Sequence, residues 1–189
     1  MAEANTQVRV CGFGGQGVVL AGTILGYAGV NDGKWVAGAS SYGTAARGGS
    51  ARCDVVLSDK TINYPHVILA DVLIAMSQKA YDVYIKEVKP GSGIVIYDEQ
   101  FVSVKEKDKI KQIGIPATAA AIKELNNRQV ANIVILGGAV GMTNVASRGA
   151  LAKAIEENVS VRFKDLNLKA AELGYKLGEE ALAKMRAKD

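Results

Sequence analysis

The stretch Val8-Arg9-Val10-Cys11-Gly12-Phe13-Gly14-Gly15-Gln16-Gly17-Val18-Val19-Leu20 decides the fold. An apolar run, a glycine turn and a second apolar run read as strand, tight turn and helix. α/β proteins place anions at such a junction, because the first N–H groups of a helix have no partner inside it and its dipole favours negative charge. A second small-residue loop follows at Ser41-Tyr42-Gly43-Thr44-Ala45-Ala46-Arg47-Gly48-Gly49, with one arginine in its middle.

From this junction the pattern extends in both directions. Gln7–Gly12 predicts the first strand and Val18–Gly29 a helix that is apolar on most sides, which implies burial. Gly33 stops that helix. Strands are expected at Lys34–Ala39, Ala51–Ser58, Asp71–Ser77 and Ile94–Tyr97. In Ala51–Ser58 the alternation sets Arg52 and Asp54 on one face. Helices are expected at Gln78–Val88 with Ser77 as cap, at Thr118–Leu125 ending in Asn126-Asn127, and at Gly149–Glu157 capped by Ser147. Val130–Gly141 fits strand or buried helix by periodicity; its length favours helix. The last helix spans Leu166–Ala187. The expected fold is a three-layer α/β/α domain over residues 1–189, with a mostly parallel central sheet. A hairpin-like contact around Asp59-Lys60, before Thr61-Ile62, makes that sheet mixed.

Composition narrows the function. The 189 residues carry a net charge of +4, and 22% of them are charged. The excess of lysine sits in Lys105–Lys111 and Lys184–Lys188, without the interleaved aromatics of a nucleic-acid binder. The two cysteines, Cys11 and Cys53, form no C-x-x-C pair, so the chain supplies no cysteine cage for zinc or an iron–sulfur cluster. Free thiols fit a reducing cytoplasm. The N-terminus has no apolar signal core, and no apolar run approaches the ~20 residues of a spanning helix.

Gly12-x-Gly14-x-x-Gly17 matches the dinucleotide fingerprint in spacing and context. That fingerprint also needs an acidic residue at the end of the second strand, to hold ribose hydroxyls. Trp35–Ser40 ends without one, which disfavours NAD or FAD. Two readings of the glycines stay open: an anion site, or close packing of helix on strand. Gln16 carries a side-chain amide that needs a partner. Arg47 suits a phosphate bidentately, or a carboxylate of the same or a neighbouring subunit. The lone histidine, His66, has no nucleophile or carboxylate near it in sequence, and Asp71 and Asp98 form no acid–base pair.

Taken together, Gly12–Gly17, Ser41-Tyr42-Gly43 with Arg47-Gly48-Gly49, Val55–Asp59, Tyr64-Pro65 and Asp71–Gln78 resemble the gamma subunit of the 2-oxoacid:ferredoxin oxidoreductases. Ile115–Thr118, Gly137-Gly138 and Leu166–Ala171 continue the likeness, which covers nearly the whole chain. It is most like the 2-oxoglutarate type, with the pyruvate and branched-chain types next. The resemblance implies a complex of alpha, beta, gamma and delta subunits. Thiamine diphosphate, magnesium and iron–sulfur clusters would lie in the partners, the delta subunit being ferredoxin-like. The implied reaction decarboxylates a 2-oxoacid oxidatively with coenzyme A, giving acyl-CoA, carbon dioxide and reduced ferredoxin. The gamma subunit would carry no catalytic or metal-binding residue. It would line the coenzyme A site through Gly14, Gly15, Gln16, Gly17, Ser41, Tyr42 and Arg47, or use them at a subunit interface. A homodimer of the isolated chain is also open. One departure stands out: the family's Pro-Glu pair before the loop arginine is replaced by Thr44-Ala45, leaving Arg47 with one fewer local carboxylate.

Overall fold

The computed structural model describes residues 5–42, 49–105 and 110–187. Six strands form one sheet: β1 (Thr6–Phe13), β2 (Trp35–Tyr42), β3 (Ser50–Ser58), β4 (Val72–Ala75), β5 (Ile94–Asp98) and β6 (Lys111–Ile115). Their spatial order is β2-β3-β1-β4-β5-β6. β1, β4, β5 and β6 are parallel, while β3 runs antiparallel to both β1 and β2. The helices are α1 (Val18–Asn31), α2 (Gln78–Tyr84), α3 (Ala117–Leu125), α4 (Ala131–Thr143), α5 (Arg148–Asn158) and α6 (Lys164–Arg186).

The sheet is mixed, for a different reason than the sequence suggested. β2 and β3 are antiparallel neighbours, with residues 43–48 between them outside the described residues, and Thr61-Ile62 forms no strand. β6 escaped the reading because Lys-Gln-Ile-Gly-Ile carries only two apolar side chains that a half-covered edge strand must bury. The expected helix over Gln78–Val88 is α2 followed by a single 3-10 turn at Ile85–Glu87.

One face of the sheet holds the main core. Val8, Val10, Ile74 and Ile96 meet residues of α1, α4 and α6 there, and α5 packs outside α1. α4 is buried almost end to end, so its apolar run is a core helix. The opposite face is covered more thinly, by α2, the turn after it and Val102. α1 is less buried than its composition implies. Leu20, Tyr27 and Val30 are exposed, because α5 covers only part of its outer side.

Local signals end the helices as expected. Gly33, at φ 76°, closes α1, with its N–H donating to the Val30 carbonyl at 2.9 Å. Asn126 adopts the left-handed conformation after α3. Ser77 and Ser147 accept the N–H groups of Ala80 and Ala150. Asp98 is buried and spent on the start of α3, accepting from the Thr118 N–H and hydroxyl. Cys11 and Cys53 are buried, unpaired thiols, pushed above their ordinary range chiefly by that burial.

A buried charge pair ties the sheet together. Arg9 on β1 faces its register partner Asp54 on β3 through two bonds, Nε to Oδ1 at 2.7 Å and Nη2 to Oδ2 at 2.8 Å. Both side chains are almost wholly buried. The guanidinium also donates to the Val67 carbonyl at 3.0 Å and pairs with Glu87. Arg52 stands on the same face, as its alternation predicts, with Nε 4.0 Å from Asp54.

Three stability predictions arise here. α4 and α6 cross so closely that a Cβ on Gly174 would lie 2.1 Å from the Val134 carbonyl oxygen. Gly174→Ala should cost about 1–3 kcal/mol or more in urea unfolding. Gly149→Ala should raise stability by about 0.5–1 kcal/mol, since its Cβ would meet open space in a helix. Asp54→Ala should cost about 3–5 kcal/mol by stranding a buried guanidinium, and Arg9→Met/Asp54→Leu should cost much less than the two single changes summed. A simple sum in the double variant would show that the pair is not coupled.

Candidate functional site

The glycine turn lies at the carboxyl ends of β1 and β4. From β1 the chain passes through α1 to β2 on one side, and the later strands build outward on the other. A crevice opens where the winding reverses, the usual location of ligands in open α/β sheets.

Within the turn the glycines divide the work. Gly15, at φ 100°, faces open space, so its backbone conformation is what requires glycine. Gly12 and Gly17 allow close approach: a Cβ on Gly12 would lie 2.6 Å from Gln16 Oε1, and one on Gly17 2.4 Å from Asn132 Nδ2. Packing and turn formation therefore both operate here. Gln16 is committed internally. Its Oε1 accepts the Phe13 N–H at 2.6 Å and its Nε2 donates to the Met76 carbonyl at 2.8 Å, bridging the ends of β1 and β4.

The two loops that stood apart in sequence meet here. Phe13 pairs with Ser50 across β1 and β3, and the Gly14 N–H donates to the Gly49 carbonyl at 2.8 Å. The last residue of the second loop thus touches the first. Ser41 is exposed near the end of β2 and sits opposite Arg52. Tyr42 closes β2. Arg47, with Thr44 and Ala45, falls in 43–48, outside the described residues. α1 begins with no side-chain cap and no acidic residue in its first turn, so the first N–H groups of the helix have no partner from those sources.

Two clefts flank the turn. One, of about 300 Å³, is lined by Phe13, Gly14, Gly15, Val18, Leu20 and others. The second, of about 190 Å³, runs between Gly15, Gln16, Met76, Thr118 and Arg128. Arg128 lies over the Phe101 ring at 5.5 Å. No motif pointed to Arg128 or Asn132, because each reaches the turn only through the fold.

The geometry also speaks against a dinucleotide site. β3 lies between β1 and β2, so the end of β2, where a ribose-binding acid belongs, is one strand too far away. His66 meets Tyr64 edge to face at 5.3 Å. Among the described residues it forms no ion pair, and no cluster of three or more His, Cys, Asp or Glu side chains could hold a metal. Among the same residues, no helix is long and apolar enough to cross a membrane.

The fold and cleft define an α/β subunit with a glycine turn at its switch point and, among the described residues, no assembled catalytic set. The sequence profile of the pyruvate ferredoxin/flavodoxin oxidoreductase family matches residues 7–177, and the chain belongs to that family. It is 41% identical to the 2-oxoglutarate synthase subunit KorC of Methanocaldococcus jannaschii, over 94% of this chain and 96% of that one. The keto/oxoacid ferredoxin oxidoreductase gamma subunit of Geobacter sulfurreducens is 33% identical, with a TM-score of 0.82 over 93% of this chain and 99% of that one. The 2-oxoglutarate:ferredoxin oxidoreductase of Magnetococcus marinus, solved with 2-oxoglutarate, coenzyme A and succinyl-CoA, shares the fold. Its TM-score is 0.83 at 22% identity, over 95% of this chain and 32% of that one.

Gln16→Ala should loosen the turn, since it leaves the Phe13 N–H and the Met76 carbonyl without their side-chain partner. A loss of about 1–3 kcal/mol is expected in denaturant unfolding, with faster hydrogen exchange at the Phe13 amide. Unchanged exchange at Phe13 would refute the bridging role.

Proposed function

We propose that this chain is the gamma subunit of a 2-oxoglutarate:ferredoxin oxidoreductase, a single gamma-type domain over 1–189. The complex decarboxylates 2-oxoglutarate oxidatively with coenzyme A, giving the acyl-CoA, carbon dioxide and reduced ferredoxin. Identity of 41% to a 2-oxoglutarate synthase subunit, across nearly the full length of both chains, favours this 2-oxoacid over pyruvate or a branched-chain acid. The complex works in the cytoplasm. Alpha, beta and ferredoxin-like delta subunits carry thiamine diphosphate, magnesium and the iron–sulfur clusters, which supply the carbon–carbon cleavage and electron transfer. The gamma subunit alone is inactive.

Its own residues serve the coenzyme A side of the reaction. The observation that carries this is the contact of Gly14 with Gly49, which joins an uncapped helix start to the end of the Arg47 loop. In this reading Gly15 and Gly17 offer backbone N–H groups to a phosphate, Gly14 and Gln16 hold the turn through their own bonds, and the second loop contributes Arg47, with Ser41 and Tyr42 leading into it. With Ala45 in place of the family's glutamate, Arg47 has no carboxylate two residues away to compete with that phosphate.

Two measurements test the proposal. Co-expressed with thiamine-binding and ferredoxin-like subunits, the chain should purify with them; failure to associate would refute the assignment. In that complex, Arg47→Ala should raise KM for coenzyme A roughly tenfold, the loss of a charge-assisted bond, and leave KM for 2-oxoglutarate near its starting value. An unchanged KM for coenzyme A would place Arg47 at a subunit interface.

A further inference from the structure

The two edges of the sheet are built differently. β6, at one edge, starts at Lys111 and follows the lysine run from Lys105. Lysines at an edge discourage a further strand from adding to it. β2, at the other edge, runs for eight residues, Trp-Val-Ala-Gly-Ala-Ser-Ser-Tyr, without a charge. No described strand pairs with its outer side. A long uncharged edge is a template for another chain.

α1 repeats the pattern, since none of its 14 residues is charged. Leu20, Thr23, Tyr27 and Val30 are exposed, and their spacing sets them on one stripe. Tyr27 is 47% exposed and Val30 56%. Gly26 joins this stripe to β2, because a Cβ there would lie 3.6 Å from Val36 Cγ1. The two charges between α1 and β2 are engaged elsewhere. Asp32 accepts from the Ser147 N–H and hydroxyl, each at 2.6 Å, and Lys34 Nζ donates to the Val145 carbonyl at 3.3 Å. On the opposite face of β2, Trp35 is 56% exposed. Edge and stripe thus make one continuous uncharged surface, of the kind that marks a protein interface.

Its size suits a weak, specific pair. β2 is about 26 Å long at ~3.3 Å per residue. The span from Trp35 across the sheet edge to the outer side of α1 is about 20 Å. The surface is then about 500 Å² per protomer and about 1,000 Å² for two, the lower limit of a specific interface.

We propose that β2 and the outer stripe of α1 pair with the same surface of a second copy of this chain. A two-fold axis perpendicular to the sheet, passing by Gly38-Ala39, lays β2 antiparallel to its own copy and continues the sheet. The same axis brings the stripe of α1 against that of the copy. In such a pair each residue meets its own surface, so a charge would face its like; neither element carries one. A charged partner would instead be desolvated here without a countercharge.

Sedimentation equilibrium of the full-length chain tests this. A monomer–dimer equilibrium is expected, with Kd of about 10–100 µM. Amides of β2 should exchange hydrogen more slowly as the concentration rises. Tyr27→Lys on the stripe and Trp35→Lys on the edge should each raise Kd about tenfold or more. Both replace exposed side chains, and a melting curve checks that each variant folds. Ile122→Lys, at an equally exposed position on α3, should leave Kd unchanged. A monomer up to about 1 mM, well above the expected Kd, would overturn the proposal. So would a dimer that neither lysine variant weakens, or one that Ile122→Lys weakens as much. Protection of β2 that appears only when thiamine-binding subunits are added would also overturn it, and would assign this surface to them.

Discussion

A buried arginine that must be neutralised organises this sheet. Arg9 sits in the middle of the central strand, and Asp54 answers it from directly opposite on β3. An unpaired guanidinium there would carry a desolvation cost that no nearby apolar contact offsets. Any register slip of β3 would separate the pair and turn its alternating side chains to the wrong face. The same guanidinium reaches Val67 and Glu87, so it also pins the segment after β3 and the turn after α2. Arg52 completes the group, so two cations and two carboxylates share one face of the sheet.

The site depends on this arrangement. Holding β3 antiparallel beside β1 sets Ser50 against Phe13, which brings Gly49 onto Gly14. It also displaces β2 from the neighbourhood of β1, which removes the position from which a dinucleotide fold grips ribose. One strand insertion thus separates a turn that resembles a dinucleotide fingerprint from the strand end that would hold ribose. Gln16 then fixes the mouth by bonding to the ends of two parallel strands.

Much of this was legible beforehand where the cause is local. The glycine turn, the stop at Gly33, the serine caps at Ser77 and Ser147, the left-handed Asn126 and the paired orientation of Arg52 and Asp54 each follow from residues within a few positions. Four features were misread or missed. The antiparallel contact was expected around Asp59-Lys60, whereas β3 makes it with β1 and β2. β6 was too short and polar to show. α1, apolar on most sides, was expected to be buried, whereas Leu20 is left facing a cleft. Asn132 and Asn167 were not singled out, since only the meeting of α1, α4 and α6 brings them to one pocket.

By itself, the sequence determined the order of the strands and helices apart from β6, most of their ends, and membership of a family whose motifs occur in order along the chain. Those properties rest on short-range backbone chemistry and on the periodicity of apolar residues, which every window of the chain carries. Tertiary structure alone decided which strand stands beside β1, which loop touches the glycine turn and which buried polar groups are left with open valence. These depend on contacts between residues 45 positions apart, as for Arg9 and Asp54, or 115 apart, as for Gly17 and Asn132. Their energies exist only when the whole sheet and its covering helices close together.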